Sequence, residues 1–138
     1  MRKYIIVGTV QSGSTRIFNM IRIISEIRNL KCYSSLLDNN FDSNYDVIVH
    51  KTHDLEDTSI LKNYDYVILP LRDFRDSYIS SIQRTKNRGK NVNINLSHVK
   101  SNINIFIKFK KFNPVVFKYE YYNFNYVKVF IHKIKIVL

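Results

Sequence analysis

Short runs of β-branched residues alternate along this chain with longer segments in which apolar residues return every three or four positions. Residues 3–8, Lys-Tyr-Ile-Ile-Val-Gly, are an apolar run of strand length, and such a run bounded by turn residues reads as a buried strand. From Ser14 to Leu30 the spacing changes. Ile17, Met20, Ile21, Ile24 and Ile27 form the stripe of an amphipathic helix, with Ser12 or Ser14 placed to cap it. Residues 45–50 and 64–70 predict two further strands, the latter ending at Pro70, which has no N–H to give to a ladder. Residues 74–84 have helical spacing, with Tyr78, Ile79 and Ile82 inward. Residues 85–95 read as a loop around Gly89, 96–112 as helix, and 114–118 as a fourth strand. Over 124–138 an alternation (Val127, Val129, Ile131) competes with a helical spacing (Val127, Ile131, Ile134, Leu138), and helix is favoured.

Strands alternating with helices predict an α/β fold with a mostly parallel central sheet. No Gly/Pro-rich linker or repeat divides residues 1–138, so one domain is expected. No run approaches the ~20 apolar residues of a membrane span. The run at 3–8 is broken by Gly8, Thr9, Gln11, Ser12 and Gly13, which argues against a secretory signal, so a cytoplasmic location is expected. A single cysteine, Cys32, excludes an internal disulfide framework and a cysteine-based zinc cluster.

Composition changes how the charge is read. Ile, Asn, Lys, Tyr and Phe make up about half of the chain and alanine is absent, a bias expected of an AT-rich genome. The net charge of +11 is therefore weak support for a nucleic-acid partner. Its distribution says more. Residues 1–57 hold seven basic and seven acidic residues, whereas twelve basic residues and one acid, Glu120, follow from Arg84 onward. Such a half attracts anions at long range.

Three constellations carry candidate chemistry. Gly8-Thr-Val-Gln-Ser-Gly-Ser-Thr15 joins the first strand to the first helix. A loop entering a helix offers backbone N–H groups and the positive helix end to an anion, although no Gly-x-x-x-x-Gly-Lys-Ser/Thr pattern is present. Arg72 follows the third strand, and Ser80 stands eight residues later on the next helix. The carboxyl ends of strands are where open α/β sheets bind ligands. His50-Lys51-Thr52-His53 follows the second strand. Its lysine can meet negative charge and its histidine can take a proton. His50 and His53 lack supporting carboxylates, and no metal is expected.

Together these resemble the sulfotransferase family, which takes a sulfuryl group from 3′-phosphoadenosine 5′-phosphosulfate. Gln11-Ser-Gly-Ser-Thr15 stands where that family has a Lys/Arg-Ser-Gly-Thr/Ser-Thr loop for the 5′-phosphosulfate. Arg72 and Ser80 match its 3′-phosphate pair in type and spacing. Lys51-Thr52-His53 is similar to a Lys-Thr-His motif that supplies a lysine and the base histidine. Val116-Phe-Lys-Tyr-Glu120 resembles its strand ending in Arg/Lys-Tyr-Glu.

The resemblance spans residues 4–120. It implies a P-loop-like three-layer α/β/α sandwich. Gln11, Ser12, Gly13, Ser14 and Thr15 would hold the phosphosulfate and Arg72 and Ser80 the 3′-phosphate. Lys51 would stabilise charge and His53 would deprotonate a hydroxyl or amine of a glycan, lipid, protein or small molecule. Two departures bear on activity. Gln11 replaces a cation whose loss typically costs ~10²–10³ in rate, and Arg16 replaces a frequent tryptophan at the nucleotide site. The chain also runs only 18 residues past Glu120, short of the family's usual C-terminal helices. A binding module that holds an adenosine phosphate or acidic glycan without turnover is the alternative. A basic nucleic-acid-binding protein, with aromatics among lysines to stack bases, is a more distant one.

Overall fold

The computed structural model describes residues 1–9, 12–38, 42–53, 55–91 and 96–135. Five strands form one parallel sheet: β1 (Arg2–Val7), β2 (Cys32–Leu36), β3 (Val47–Thr52), β4 (Tyr66–Leu71) and β5 (Val115–Lys118), in the order β2-β3-β1-β4-β5. The helices are α1 (Ser14–Ile27), α2 (Phe74–Asn87), α3 (Ser97–Lys110) and α4 (Phe124–Lys133). The fold is α/β with helices on both faces, as the periodicities predict. No described helix is long and apolar enough to cross a membrane.

β1 lies at the centre, and Tyr4, Ile5, Ile6 and Val7 are all fully buried. A strand covered on both faces must be apolar at every position, which is why this run shows no alternation. One face packs Tyr4, Ile6, Val47, Val49, Ile68 and Phe117 against Ile17 and Ile21 of α1 and Phe130, Ile131 and Ile134 of the α4 end. The other sets Ile5, Val7 and Leu69 against Phe109 of α3 and against Leu61 in a 3-10 turn, Thr58–Asn63. Each fully buried side chain of this kind contributes about 1.5–3 kcal/mol.

Three expectations are corrected. β2 was not anticipated: Cys-Tyr-Ser-Ser-Leu has no apolar alternation, and its residues stay half-buried because it is the sheet edge. Its pairing with β3 supplies the order that its sequence lacks. Pro70 does not end β4, which continues to Leu71. β4 pairs with β1 only from Tyr66 to Ile68 and beyond that pairs with β5 alone, so the missing N–H of Pro70 falls on an unpaired side. On α2, Ile79 is 60% exposed and the buried residue is Ser77, because that helix packs chiefly on α3 and not on the sheet.

The parting of β1 from β4 opens a crevice at the carboxyl edge. The chain leaves β1 toward β2 and β3 on one side and returns to β4 and β5 on the other. Ligands of open α/β sheets bind at such a switch point.

Candidate functional site

Gly8 closes β1, its N–H donating to Thr52 O at 3.0 Å. A Cβ added there would stand 2.5 Å from Ser14 Cβ, so only glycine lets the loop fold back over the strand. Gly13 then begins α1 at φ +89°, a left-handed conformation that glycine adopts without strain. The ring of Tyr119 lies against it, 2.6 Å from where a Cβ would be.

The start of α1 differs from the expected capped turn. Gly13 is the N-cap, no side chain caps the helix, and no acid stands in its first turn. Ser12 and Ser14 are buried instead, and Ser12 Oγ has no hydrogen-bond partner among the described residues. An uncapped helix start keeps its first N–H groups and its positive pole available to an anion. Gln11 lies outside the described residues.

On β3 the two-residue period of a strand separates neighbours. Val47 and Val49 face α1, and Lys51 shares their side: its Nζ donates to Thr15 Oγ1 at 3.0 Å. His50 points to the opposite face and is fully buried. Its Nδ1 is 2.5 Å from Tyr64 Oη and its Nε2 is 3.1 Å from Asp38 Oδ1. Tyr33 and Ser35 hydroxyls donate to Asp38 Oδ2 at 2.7 and 2.8 Å. Nε2 lies at ion-pair distance from the Asp38 carboxylate without hydrogen-bond geometry, and Nδ1 shares a hydrogen bond with the Tyr64 hydroxyl. Burial holds the His50 pKa below its ordinary value and outweighs the opposing pull of Asp38. Burial likewise pushes the Tyr64 hydroxyl up. His50 is therefore a neutral structural group.

His53, just past β3, is exposed, and its Nδ1 is 2.8 Å from Gly8 O. A carbonyl oxygen only accepts, so Nδ1 carries the proton and Nε2 keeps a lone pair in the neutral ring. The backbone thus selects the tautomer that a general base needs.

Beyond β4, Asp73 caps α2 through Arg75 N–H at 2.8 Å and binds the Arg75 side chain at 3.0 and 2.7 Å. These bonds hold its carboxyl well below the usual range. Glu120 takes the Asp73 N–H at 2.5 Å. Arg72 lays its guanidinium 4.9 Å from the Tyr119 ring centre. Arg16 stacks on the same ring at 5.3 Å and on Tyr122 at 4.3 Å.

These parts meet in a cavity of about 450 Å³ at the carboxyl edge of the sheet. Its floor is the start of α1, from Gly13 to Arg16. Lys51 and His53 enter from β3, Arg72 from β4, Tyr119 from beyond β5 and Arg84 from α2. Four cations line it without one carboxylate among the described residues. Like charges gathered in one cavity repel until an anion joins them. The larger hollow, about 660 Å³, sets Leu71, Phe74, Val99 and Ile103 beside the charged Arg72, Asp73, Arg75, Lys118 and Glu120.

Of the expected site residues, Gly13, Ser14, Thr15, Lys51, His53 and Arg72 come together here. Ser12 lies buried beneath the loop. Ser80 is half-buried on α2 and does not line the cavity, whereas Arg84, one turn further on, does. Arg84 and Tyr119 were not singled out as site residues from the sequence. The helical step from Ser80 to Arg84 was the available signal, since residues four apart share a face. No protein-family model matches the chain, and no curated protein matches it.

Proposed function

We propose that the chain is a sulfotransferase, binding 3′-phosphoadenosine 5′-phosphosulfate and passing its sulfuryl group to a hydroxyl or amine acceptor. The observation that carries this reading is the cavity itself, in which four cations and an uncapped helix start converge beside a histidine of defined tautomer. The residues fit an anionic nucleotide: the buried Ser12 hydroxyl lacks a partner, and the α1 start has no cap of its own.

In this reading the α1 turn and Lys51 hold one anionic end of the donor, and Arg72 holds the other. Lys51 is level with Ile6 on one flank of β1, and Arg72 follows four residues past Ile68 on the other, so the two cations enter the cavity from different strands, as a donor with two anionic groups requires. When bound, the donor supplies the sulfuryl group and leaves as adenosine 3′,5′-bisphosphate. His53 Nε2 takes the acceptor proton, and Lys51 sits where negative charge accumulates. No protein nucleophile is needed, so positioning and charge dominate.

Thermal-shift titration tests the donor. Adenosine 3′,5′-bisphosphate should stabilise the fold more than AMP or ATP, and equal shifts with AMP and the bisphosphate would remove the second anion site. Transfer of labelled sulfate to a panel of alcohols and amines tests the chemistry. Bisphosphate binding without transfer would favour the binding module, for which Gln11 already speaks. Stabilisation by an oligonucleotide alone would favour the nucleic-acid reading. A cytoplasmic setting belongs to the same proposal, and fractionation checks it.

A further inference from the structure

α3 covers the sheet face opposite α1 and α4, and its two sides carry different chemistry. Inward, Asn102 and Phe109 are buried, and Ile105, Phe106 and Phe112 pack on the core of that face. Outward, Leu96 is 70% exposed, Ile107 63% and Ile103 37%. The helical period puts these three on one face with Lys100, Lys110 and Lys111, all of them exposed. Leu96 and Lys111 belong to that face because both caps of α3 keep right-handed helical dihedrals. The outer side is thus an aliphatic stripe interleaved with lysines over the whole helix. Packing on the sheet does not call for it, since a helix of this kind needs only its inner stripe apolar.

The charge around the stripe has one sign. Nine lysines and arginines and no aspartate or glutamate lie between Ser77 and Tyr119. Beside the stripe, Ser97, Lys100, Ser101, Asn104 and Lys108 line a hollow of about 430 Å³ whose described lining holds no carboxylate. Hydroxyl, amide and ammonium groups there offer donors to an anionic group. A second copy of this chain does not suit the face: a two-fold contact sets a patch against itself, bringing lysines together with no acid on the helix to separate them. A nucleic acid suits the lysines, but aliphatic side chains give its bases no stacking surface. An acidic bilayer matches both halves, with phosphates for the lysines and hydrocarbon beneath for the leucine and isoleucines.

We infer that the outer face of α3 docks the protein on an anionic membrane surface. The helix lies in the plane of the interface. Leu96, Ile103 and Ile107 dip below the headgroups, and Lys100, Lys110 and Lys111 stay level with the phosphates. The docking face and the sulfotransferase reading stand independently of each other.

Co-sedimentation of the full chain with vesicles tests this, using phosphatidylcholine alone and phosphatidylcholine with about one third phosphatidylserine. The acidic vesicles should bind roughly tenfold more tightly or better. Leu96→Ser with Ile107→Ser should weaken that binding roughly tenfold at unchanged net charge. Lys100→Gln, Lys110→Gln and Lys111→Gln together should weaken it by roughly tenfold or more. Lys128→Gln, Lys133→Gln and Lys135→Gln remove the same charge at α4, on the other sheet face. They should cost at most about twofold, because salt screens charges held away from the membrane. Equal losses from both lysine triplets would mean attraction by net charge alone and overturn the inference. So would an apolar variant that binds like the wild type. A wild type that ignores acidic vesicles overturns it too and leaves the face to an acidic protein surface. Self-association of the chain that the apolar variant abolishes would assign the face to a second copy, which also overturns it. Thermal melts confirm that each variant folds.

Discussion

Two histidines three residues apart at the end of β3 have opposite environments. His50 is wholly buried, its ring held between Tyr64 and Asp38, and is kept neutral by desolvation. His53 is exposed at a cavity lined by four cations, and its Nδ1 is held by a backbone carbonyl. The first is enclosed in the core with Tyr64 and Asp38 at its two ring nitrogens and serves stability. The second leaves one nitrogen unengaged toward a space where cations gather without carboxylates. Polar groups already satisfied by the fold have nothing left to offer a ligand, and the contrast separates structural from reactive histidine better than residue type does.

The largest expected effect falls on the exposed member. His53→Ala should lower any sulfuryl transfer by ~10²–10⁴ while leaving the melting temperature near that of the wild type. Activity that survives this substitution undiminished would remove the assigned base. His50→Ala should do the reverse. It leaves a cavity and takes a hydrogen-bond partner from the Tyr64 hydroxyl, costing ~3 kcal/mol of folding stability. Urea denaturation reads this directly, and a cost under about 1 kcal/mol would mean that the buried cluster is not structural.

Arg72→Ala should weaken adenosine 3′,5′-bisphosphate by roughly tenfold to a hundredfold, the ~1.5–3 kcal/mol of a charge-assisted contact. Stability should change little, because Arg72 lies at the cavity and outside the buried core. Unchanged bisphosphate affinity by calorimetry would take Arg72 out of the site. The smallest effect is the pH dependence of the buried cluster. The folded chain holds His50 below its ordinary value near 6.5, so the unfolded chain takes up that proton first. Stability is fully present above about pH 6.5 and falls as pH drops below it. His50→Gln should flatten denaturation midpoints over that window, and a slope that persists would assign it to another group.

Much of this architecture was legible because local pattern and global fold agree. The all-apolar run of β1, the stripe of α1 and the short runs of β3, β4 and β5 each state their burial in their own residues. Where burial is partial the pattern thins. β2 is half-exposed on both faces, and Cys-Tyr-Ser-Ser-Leu carries no period that a reader could detect. Ile79 looked inward by spacing, yet α2 has little sheet to face. Short motifs likewise marked the loop 8–15, Lys51, His53 and Arg72, because those residues lie close in sequence to strand ends, where parallel sheets collect their chemistry.

By itself, then, the sequence determined the four helices and every strand but β2, and which polar residues stand at the carboxyl ends of the strands. That follows because periodicity and strand ends are local properties. Only the tertiary structure decided that His50 turns into the core while Lys51 turns to α1. It decided too that Arg84 returns to a hollow that Arg72 also lines. Those outcomes depend on strand order and are set by packing between segments far apart in the chain.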